Sequence, residues 1–340
     1  MPATSNPLVM KLLKETSRSF YLTLRVLPRK VRLQISLAYL LARTTDTVAD
    51  TELVPVEQRL NALQNMRERI LGTSNSDLDF GELARRQGSP AERVLLEKVE
   101  ESLAVLGGLA IEDLKLLRQV LDTIISGQKL DVRRFADAKM EKIVALQTDA
   151  ELDDYTYRVA GCVGKFWTGM CIEHLFRLPE LEDLAAPSFE ELGVRFGKGL
   201  QLVNILRDLP ADLRKGRCYI PAEELVAVAL LPTDLLSPAN EPKFCPLYNR
   251  YLDLAESNLA AGWKYTNLIP ITWMSLRLAC AWPILIGAKT VARLRTANVL
   301  DSQQRVKISR SEVRNVIARS VLCYPFPGRW RRLFPLPGEA

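Results

Sequence analysis

Histidine is almost absent from this chain of 340 residues, in which His174 is the only one. A histidine-ligated zinc site needs several imidazoles, and a Ser-His-Asp hydrolase needs a histidine beside its nucleophile. The sequence therefore argues against both classes of enzyme. We interpret His174 as incidental to the chemistry.

The sequence also has no closely spaced cysteine pair and no pattern typical of a signal peptide. Six cysteines are spread over the second half of the chain without a C-x-x-C pair, which predicts free thiols in a reducing compartment. The first residues, MPATSNPLVMKLLKETSRSF, lack the charged-then-apolar order of a signal peptide. We therefore expect a cytoplasmic protein.

The chain has no apolar run that is both long and uninterrupted. The most apolar stretch of the second half, residues 268–288, is broken by Pro270, Arg277 and Pro283. A transmembrane helix needs about 20 consecutive residues with few or no charges. We predict a buried helix in this stretch and no transmembrane anchor.

The sequence has no concentrated stretch of basic residues that would suggest nucleic-acid binding. The formal net charge is +6, with 46 basic and 40 acidic residues interleaved along the chain. A DNA- or RNA-binding protein more often carries a basic stripe within a recognisable motif. We expect a mildly basic surface and no nucleic-acid partner.

Helical periodicity dominates the sequence. Apolar residues recur at three- and four-residue steps in segments such as LVPVEQRLNALQNMRERIL, and the alternation typical of strands is scarce. Clusters of Gly, Pro, Ser and Asn predict connections at 72–80, 87–90, 179–187 and 231–246. The sequence predicts one all-α catalytic domain over residues 1–323, followed by a Pro-, Arg- and aromatic-rich tail over 324–340.

An apolar segment, YLLARTTDTVAD at 39–50, contains two aspartates four residues apart. At about 100° per residue, one helix face carries Tyr39, Arg43, Asp46 and Asp50. Two carboxylates there repel each other and lose solvation unless a cation compensates them. A solvated acidic turn at a helix end is the alternative interpretation of a single D-x-x-x-D pattern.

The same spacing occurs a second time, at Asp208 and Asp212, and Gln201 and Asn204 share their helix face. Pro210 lies inside this motif and is expected to bend or loosen the helix, which would place Asp212 on a distorted turn. The recurrence of the pair favours a functional site over two solvated turns.

Carboxylate pairs of this kind bind hard cations such as Mg²⁺, which keep some waters and are shared with substrate phosphates. Arginine adds bidentate contacts to phosphate oxygens. If the two helices face each other, they would bind a diphosphate through several metal ions. The chemistry that suits such a site is departure of diphosphate from an allylic carbon, in an apolar cavity that shields the cation from water.

Four blocks together resemble the squalene/phytoene synthase family, the head-to-head class of isoprenoid diphosphate synthases. They follow the family's order and spacing: SRSF at 17–20, YLLARTTDTVAD at 39–50, YTYRVAGCVG at 155–164 and QLVNILRDLPADLRKGRCYIP at 201–221. The resemblance covers about residues 17–317. It implies an all-α bundle around a central apolar cavity, with the aspartate motifs on opposing helices.

The resemblance also implies roles for individual residues. Mg²⁺ and the diphosphates would be bound by Asp46, Asp50, Asn204, Asp208 and Asp212. Diphosphate would be contacted or positioned by Ser17, Arg18, Ser19, Tyr39, Arg43, Gln201, Arg207 and Arg217. Catalysis would involve Tyr39 and Tyr155, the latter near the reacting carbons to help move a proton.

Simpler interpretations exist for several of these residues. Ser17 or Ser19 could be a helix N-cap, and Tyr155 could be a core aromatic. Arg207 lies some 100° off the face of Asp208 and could be a surface residue. We expect the glycines of YTYRVAGCVG, at 161 and 164, to allow close packing of the Tyr155 helix against its neighbour.

Within the family, the sequence favours a squalene synthase, which condenses two farnesyl diphosphates through presqualene diphosphate and reduces the product with NADPH. The segments 278–294 and 305–313 resemble the squalene-synthase versions. The second segment implies Lys307, with Arg310, near the NADPH phosphates. The alternatives within the family end at presqualene diphosphate, dehydrosqualene or phytoene, without reduction.

Two rival classes are a class I terpene cyclase and a non-catalytic helical assembly factor derived from the family. The paired D-x-x-x-D motifs and SRSF argue against the cyclase, and retention of all four aspartates argues against the assembly factor. The tail mixes arginines with aromatic residues, a composition that suits an anionic bilayer interface. Peripheral membrane contact through the tail is therefore a hypothesis, with a packed or disordered tail as its alternative.

Overall fold

The computed structural model describes residues 6–16, 20–177, 186–301 and 303–334. Helices account for nearly all regular structure in these ranges, and the strands found there are two residues long. The predicted all-α class is confirmed. The chain divides into two compact units, whereas the predicted boundary between a domain over 1–323 and a tail over 324–340 stays a prediction.

The first unit comprises Met1–Ala136 and Lys165–Asp183. Its first eight helices are α1 (Pro7–Thr16), α2 (Phe20–Val26), α3 (Arg29–Asp50), α4 (Val56–Leu71), α5 (Gly81–Arg85), α6 (Pro90–Glu97), α7 (Val99–Gly107) and α8 (Ile111–Arg134). Helix α3 is central, because it packs against α1, α4, α6, α7 and α8. Leu37, Leu40 and Leu41 of α3 are fully buried, so its apolar face lies in the core of the unit.

The second unit comprises Asp137–Gly164 and Leu184–Ala340. Its elements are β1 (Val144–Ala145), α9 (Asp149–Thr156), a π-helical turn (Tyr157–Gly161), the start of α10 (Cys162–His174), α11 (Ala186–Arg214), β2 (Arg217–Cys218), α12 (Ala222–Ala227), two 3₁₀ turns (Pro232–Leu236 and Pro238–Asn240), α13 (Glu241–Leu268), α14 (Met274–Leu294), α15 (Arg310–Cys323) and α16 (Pro327–Arg331). From Lys165 onward, α10 belongs to the first unit.

Helices α11 and α13 form the antiparallel centre of the second unit. Near one end of the pair, the ring of Phe189 stacks on that of Tyr265 at 4.2 Å between centroids. Toward the other end, the hydroxyl of Tyr248 donates a hydrogen bond of 3.0 Å to the carbonyl of Leu206. Both contacts are buried, so they fix the register of the helix that carries the second aspartate pair.

Three of the four predicted connections fall within the described residues. The connections at 72–80 and 87–90 are confirmed, since helices end at Leu71 and Arg85 and resume at Gly81 and Pro90. The connection at 231–246 is shorter than predicted, because α13 already begins at Glu241, with a proline in its first turn and another at 246. Proline is tolerated in a first turn because the backbone N–H groups there have no helical partner. Much of the connection at 179–187 lies outside the described residues.

The apolar stretch 268–288 is divided between two helices. Leu268 ends α13, Pro270 lies in the turn, and α14 begins at Met274 and continues through Pro283. The predicted buried helix is therefore wrong at its start. Of the helices the structure describes, α14 alone is long and apolar enough to cross a membrane, and 67% of its apolar window is buried inside the protein.

The single histidine takes part in a buried polar cluster of the first unit. His174 Nε2 lies 2.6 Å from Asp113 Oδ1, and Gln34 Nε2 donates a hydrogen bond of 2.8 Å to the other oxygen. Only 4% of Asp113 is exposed. Because a buried carboxylate is costly without partners, this cluster ties α10 to α3 and α8. Its contacts agree with a structural interpretation of His174.

Replacing His174 with alanine is expected to destabilise the protein by about 1–3 kcal/mol, because Asp113 then loses a buried partner. Urea unfolding measures the change. Adding Asp113→Asn to the same chain should recover part of the loss, since it removes the buried charge. An unchanged unfolding midpoint in the single variant would contradict a structural role.

Candidate active site

The first aspartate pair lies on one uninterrupted helix. Because α3 runs from Arg29 to Asp50 without a break, Tyr39, Arg43 and Asp46 keep the common face that the spacing predicts. Tyr39, Arg43 and Asp46 are half-buried, and Asp50 is exposed at the end of the helix. The pair therefore lies where a helix emerges from the core of the first unit.

The charge on Asp46 is incompletely compensated. Burial and the neighbouring Asp50 raise the pKa of the Asp46 carboxyl to about 6, and the opposing effects of Arg43 and Gln128 do not cancel this rise. Gln128 Nε2 donates a hydrogen bond of 2.5 Å to Asp46 Oδ1. A bound cation would favour the ionised form of the pair, which is the electrostatic property expected of a metal site.

Arg43 is held by an acidic residue that the sequence did not single out. Arg43 Nη2 lies 2.5 Å from Glu92 Oε1 of α6, and both side chains are about one-third exposed, at 32% and 28%. An ion pair with that exposure contributes less than about 1 kcal/mol. A diphosphate can therefore replace Glu92 as the partner of Arg43 at small cost. Contact between Arg43 and diphosphate stays a prediction.

Replacing Glu92 with glutamine is expected to tighten binding of inorganic diphosphate by up to about fivefold, because Arg43 no longer has an anionic partner to leave. Isothermal calorimetry with Mg²⁺ present measures the affinity. Glu82→Gln is the matched control, since Glu82 pairs with Arg86 on α5. Weaker binding in the Glu92 variant would show instead that Glu92 positions Arg43 for diphosphate.

The second aspartate pair lies on α11 of the second unit. The helix continues through Pro210 to Arg214, so the expectation that Asp212 falls on a distorted turn is wrong. Helix α11 packs against both α13 and β2. Asp208 and Asp212 are half-buried, as is Gln201, whereas Asn204 is exposed.

Arg207 contacts its neighbour Asp208, although Arg207 lies off the helix face that Asp208 shares with Asp212. Its Nε and Nη2 atoms lie 2.9 and 2.5 Å from the two carboxylate oxygens of Asp208. The bidentate contact raises the pKa of the Arg207 guanidinium, and Asp212 adds a smaller effect. The second pair thus carries its own counterion on the same helix. Arg207 is therefore placed to exchange Asp208 for a phosphate.

Arg217 and Tyr155 belong to the same unit as the second aspartate pair. A short parallel strand pairing positions Arg217, and a ring contact positions Tyr155. Beyond α11, Gly216 adopts a φ of +76°, and Val144 then pairs with Arg217. The ring of Tyr155 in α9 stacks on that of Tyr219 at 4.7 Å between centroids. Arg217 and Tyr155 are both half-buried, so neither is wholly enclosed in the core.

Glycines allow α10 and the π-helical turn to approach α11 closely. A Cβ atom added at Gly164 would lie 1.9 Å from the Gly193 carbonyl oxygen, and one added at Gly161 would crowd Tyr157, Val194 and Lys198. The predicted role of these glycines in close packing is confirmed. Gly197 of α11 makes the reciprocal approach, because its added Cβ would lie 2.1 Å from the backbone oxygen of the residue at 160.

Five predicted residues remain, three near the start of the chain and two near α15. Ser17, Arg18 and Ser19 lie outside the described residues. Lys307 and Arg310 are exposed near the start of α15. The side chains of Ser309 and Glu312 cap that helix in a capping box.

The contacts around Lys307 are those of a capped helix end, and its predicted role at NADPH stays a prediction. The N-terminus of α15 is already capped, and Glu312 pairs with Arg293. Lys307 and Arg310 themselves are exposed. The predicted nicotinamide contacts therefore gain no support from the geometry, and no reductive step follows from it.

The residues present do fit Mg²⁺ shared with a substrate. Within the described ranges, no three His, Cys, Asp or Glu side chains gather into a self-sufficient metal site. Each aspartate pair instead offers two carboxylates. Mg²⁺ commonly binds proteins in this way, through one or two carboxylates, its waters and substrate phosphates. The unsatisfied charge of Asp46 supports this fit.

Sequence reasoning missed Gln128, Glu92 and Tyr219 as neighbours of the predicted site residues. A signal existed for Gln128, because polar residues recur at 128, 131 and 134 within the apolar pattern of α8. No comparable signal marks Glu92, which lies 49 residues from its partner. Tertiary packing alone brings it to Arg43.

Known proteins match most of the chain. The family model described as squalene/phytoene synthase matches residues 13–312. A presqualene diphosphate synthase of Rhodopseudomonas palustris is 33% identical over 256 residues, which cover 74% of this chain and 75% of that protein. The squalene synthase of Saccharomyces cerevisiae is 27% identical over 285 residues, covering 83% of this chain and 60% of that protein.

The fold also matches solved structures. TcSQS in complex with the ligand E5700 superposes with a TM-score of 0.74 at 22% identity, over 92% of this chain and 85% of that one. At this level of identity the match shows the fold. It agrees with the all-α helical bundle that the sequence predicts.

Proposed function

Because the chain belongs to the squalene/phytoene synthase family, we propose that it joins two farnesyl diphosphates head to head to give presqualene diphosphate. In that reaction one C–O bond breaks and releases diphosphate, two C–C bonds form a cyclopropane ring, and one proton leaves. The observation that carries the proposal is the pair of D-x-x-x-D motifs, of which Asp46 holds an incompletely compensated charge.

The chain's own residues supply distinct contributions to this reaction. Asp46 and Asp50, and separately Asp208 and Asp212 with Asn204, bind Mg²⁺ together with diphosphate. When bound there, Mg²⁺ would neutralise diphosphate charge and so make diphosphate a better leaving group. The sequence pattern that supports this assignment is the helical spacing that gives each pair a shared face.

Arginine and tyrosine side chains orient the substrates and move the proton. Arg43, Arg207 and Arg217 contact phosphate oxygens, with Arg43 leaving Glu92 and Arg207 leaving Asp208. Tyr155 accepts or relays the proton through its hydroxyl oxygen, while its ring is held against Tyr219. Tyr39, one turn before Arg43 on the same face of α3, assists at the diphosphate. Ser17, Arg18, Ser19 and Gln201 complete the phosphate contacts.

Presqualene diphosphate is the product favoured by the similarity to the R. palustris enzyme, which covers about three quarters of both chains. Conversion onward to squalene with NADPH is a second candidate. The similarity to yeast squalene synthase and the Lys307 segment favour it. It has weaker support, because the match covers 60% of the yeast enzyme and Lys307 and Arg310 are exposed.

Product analysis tests the proposal. Purified protein is incubated with farnesyl diphosphate and Mg²⁺, with and without NADPH, and the extract is examined by mass spectrometry. We expect presqualene diphosphate under both conditions. Squalene appearing only with NADPH would establish the second candidate, and cyclic C15 products would indicate a terpene cyclase. Absence of any product, together with absence of Mg²⁺-dependent diphosphate binding, would favour the non-catalytic assembly factor.

A further inference from the structure

Large apolar side chains are exposed at one end of the second unit. They lie on the turn between α13 and α14 and around the C-terminal end of α15. We call this set the apolar tip, and it consists of Leu268, Ile271, Met274, Val321, Leu322 and Phe326. Leu322 is 72% exposed, Ile271 54% and Phe326 52%. Exposed apolar residues that cluster in this way, unlike scattered ones, mark an interaction surface.

Two contacts show that the two parts of the apolar tip lie together. The indole Nε1 of Trp282 donates a hydrogen bond of 2.9 Å to Ser320 Oγ, which joins α14 to α15. The hydroxyl of Tyr324 donates a hydrogen bond of 2.6 Å to the carbonyl oxygen of Ile271. The C-terminal end of α15 therefore lies against the turn before α14, and the exposed side chains share one end of the unit.

The aromatic residues of the tail fix this surface in place. Trp330 and Phe334 are almost wholly buried, and their rings stack on Trp263 at 5.3 and 5.9 Å between centroids. The guanidinium of Arg277 lies 5.2 Å from the Trp330 ring and 5.5 Å from that of Tyr324. These aromatics therefore anchor the described part of the tail within the unit, in agreement with a packed tail, which the sequence left open as an alternative.

The charge around the apolar tip is mainly positive. Neither residues 257–300 nor residues 313–338 contain an aspartate or a glutamate. Exposed cations in these segments include Lys264, Arg319, Arg329, Arg331 and Arg332. Glu190 and Glu191 lie on the segment of α11 that packs on α13 through the Phe189–Tyr265 stack, so some acidic charge is also present in this unit.

A cleft beside the apolar tip carries the same sign of charge. It has a volume of about 540 Å³ and is lined by Arg195, Lys264 and Arg331, together with small and aromatic residues of α13. The guanidinium of Arg329 also lies 5.2 Å from the ring of Phe326. Apolar side chains and cations are thus interleaved, as at a surface that meets lipid chains and headgroup phosphates at once.

We propose that the apolar tip docks this protein on the surface of an anionic phospholipid bilayer. Leu322, Phe326 and Ile271 enter the interface, and the surrounding arginines contact lipid phosphates. A second copy of the chain is a poorer occupant, because two identical cationic tips repel each other. The fixed backbone of the tip means that little ordering is needed on binding. The proposal goes beyond the condensation reaction and does not depend on it.

Sedimentation with vesicles tests this docking directly on the full chain. The probes are vesicles of phosphatidylcholine alone and of phosphatidylcholine with about 30% phosphatidylglycerol. We expect binding to the anionic vesicles, little binding to the neutral ones, and release as NaCl rises from about 0.1 to about 0.5 M. Equal binding to both vesicles, or none to the anionic ones, would overturn the proposal.

Point substitutions identify the surface, and they replace a deletion of the tail because deletion would remove buried aromatics. Arg329→Glu with Arg331→Glu is expected to weaken vesicle binding about tenfold or more. Leu322→Ser with Phe326→Ser is expected to weaken it about fivefold or more. Ile111→Ser is the matched control, because Ile111 of α8 is exposed to the same 72% as Leu322.

Each outcome of these variants supports or overturns the assignment of membrane docking to the apolar tip. Wild-type binding in both double variants would overturn the assignment to the apolar tip. Loss of binding in the Ile111 control would show that the effect is not specific to this surface. If the wild-type chain dimerises without lipid and Leu322→Ser with Phe326→Ser abolishes the dimer but not vesicle binding, the tip is a self-association surface instead. Circular dichroism of every variant confirms that it is folded.

Discussion

Asp46→Asn is expected to abolish most turnover while making the metal-free protein more stable. Asparagine cannot supply the negative charge that Mg²⁺ requires, so activity should fall by orders of magnitude. The same change removes a carboxylate whose ionisation is disfavoured by burial and by Asp50. Loss of function and gain of stability from one substitution are typical of a site selected for binding rather than for folding.

The sign of the stability change follows from the pKa of Asp46, which rises from 3.8 to about 6 on folding. Well below the unfolded pKa of 3.8, the carboxyl is protonated in both the folded and the unfolded chain, so the substitution should change little. Between pH 4 and 6 the ionised form increasingly disfavours the wild-type fold, and above pH 6 the cost is complete. One pKa unit corresponds to about 1.4 kcal/mol. Since Asp46 is only half-buried, we expect a gain of about 1–3 kcal/mol at neutral pH.

Urea unfolding of the metal-free protein at about pH 4 and at neutral pH measures this difference. Asp208→Asn is the informative comparison. It should also abolish turnover, but it should not stabilise the fold, because Asp208 already has Arg207 as a bidentate counterion. Wild-type-like rates in either variant would contradict the metal roles, and a destabilised Asp46→Asn at neutral pH would contradict the electrostatic account.

Gly164→Ala is expected to cost about 3 kcal/mol or more of folding free energy, because its new methyl group would meet backbone rather than a movable side chain. The nearest atom is the Gly193 carbonyl oxygen at 1.9 Å. Gly197→Ala should behave similarly, since its methyl group would lie 2.1 Å from the Ala160 carbonyl oxygen. Relief of either clash requires α11 to move away from the segment that follows Tyr155.

Gly107→Ala provides the matched control for these substitutions. Gly107 ends α7 and has no atom within 4 Å of an added Cβ, so alanine there should be neutral or stabilising by up to about 1 kcal/mol. Urea unfolding and the yield of soluble protein measure all three variants. A Gly164 variant as stable as the Gly107 variant would show that the helices do not need this close approach.

Local signals in the sequence predicted the elements that local interactions determine. Helix α3 and the connections at 72–80 and 87–90 follow from apolar periodicity and from clustered Gly, Pro and Ser. The close packing at the glycines of YTYRVAGCVG was also predictable, because small residues recur there within a helical pattern. These features depend little on distant parts of the chain.

Features set by tertiary packing were not predictable in the same way. Local rules suggested that Pro210 would distort its helix and that Pro246 would lie in a loop, yet both lie within helices that pack against neighbours. The Arg43–Glu92 and Asp46–Gln128 contacts join residues 49 and 82 positions apart. Composition alone could not show that Trp330 and Phe334 are buried while Phe326 is exposed.

The stoichiometry of diphosphate release tests the central claim most directly. Purified protein is given farnesyl diphosphate and Mg²⁺, and released diphosphate is measured against substrate consumed. Head-to-head condensation to presqualene diphosphate predicts one diphosphate for every two farnesyl diphosphates consumed, no release without Mg²⁺, and release slowed by orders of magnitude in Asp46→Asn. One diphosphate released for each substrate, with a C15 product and no C30 product, would contradict the condensation of two substrates.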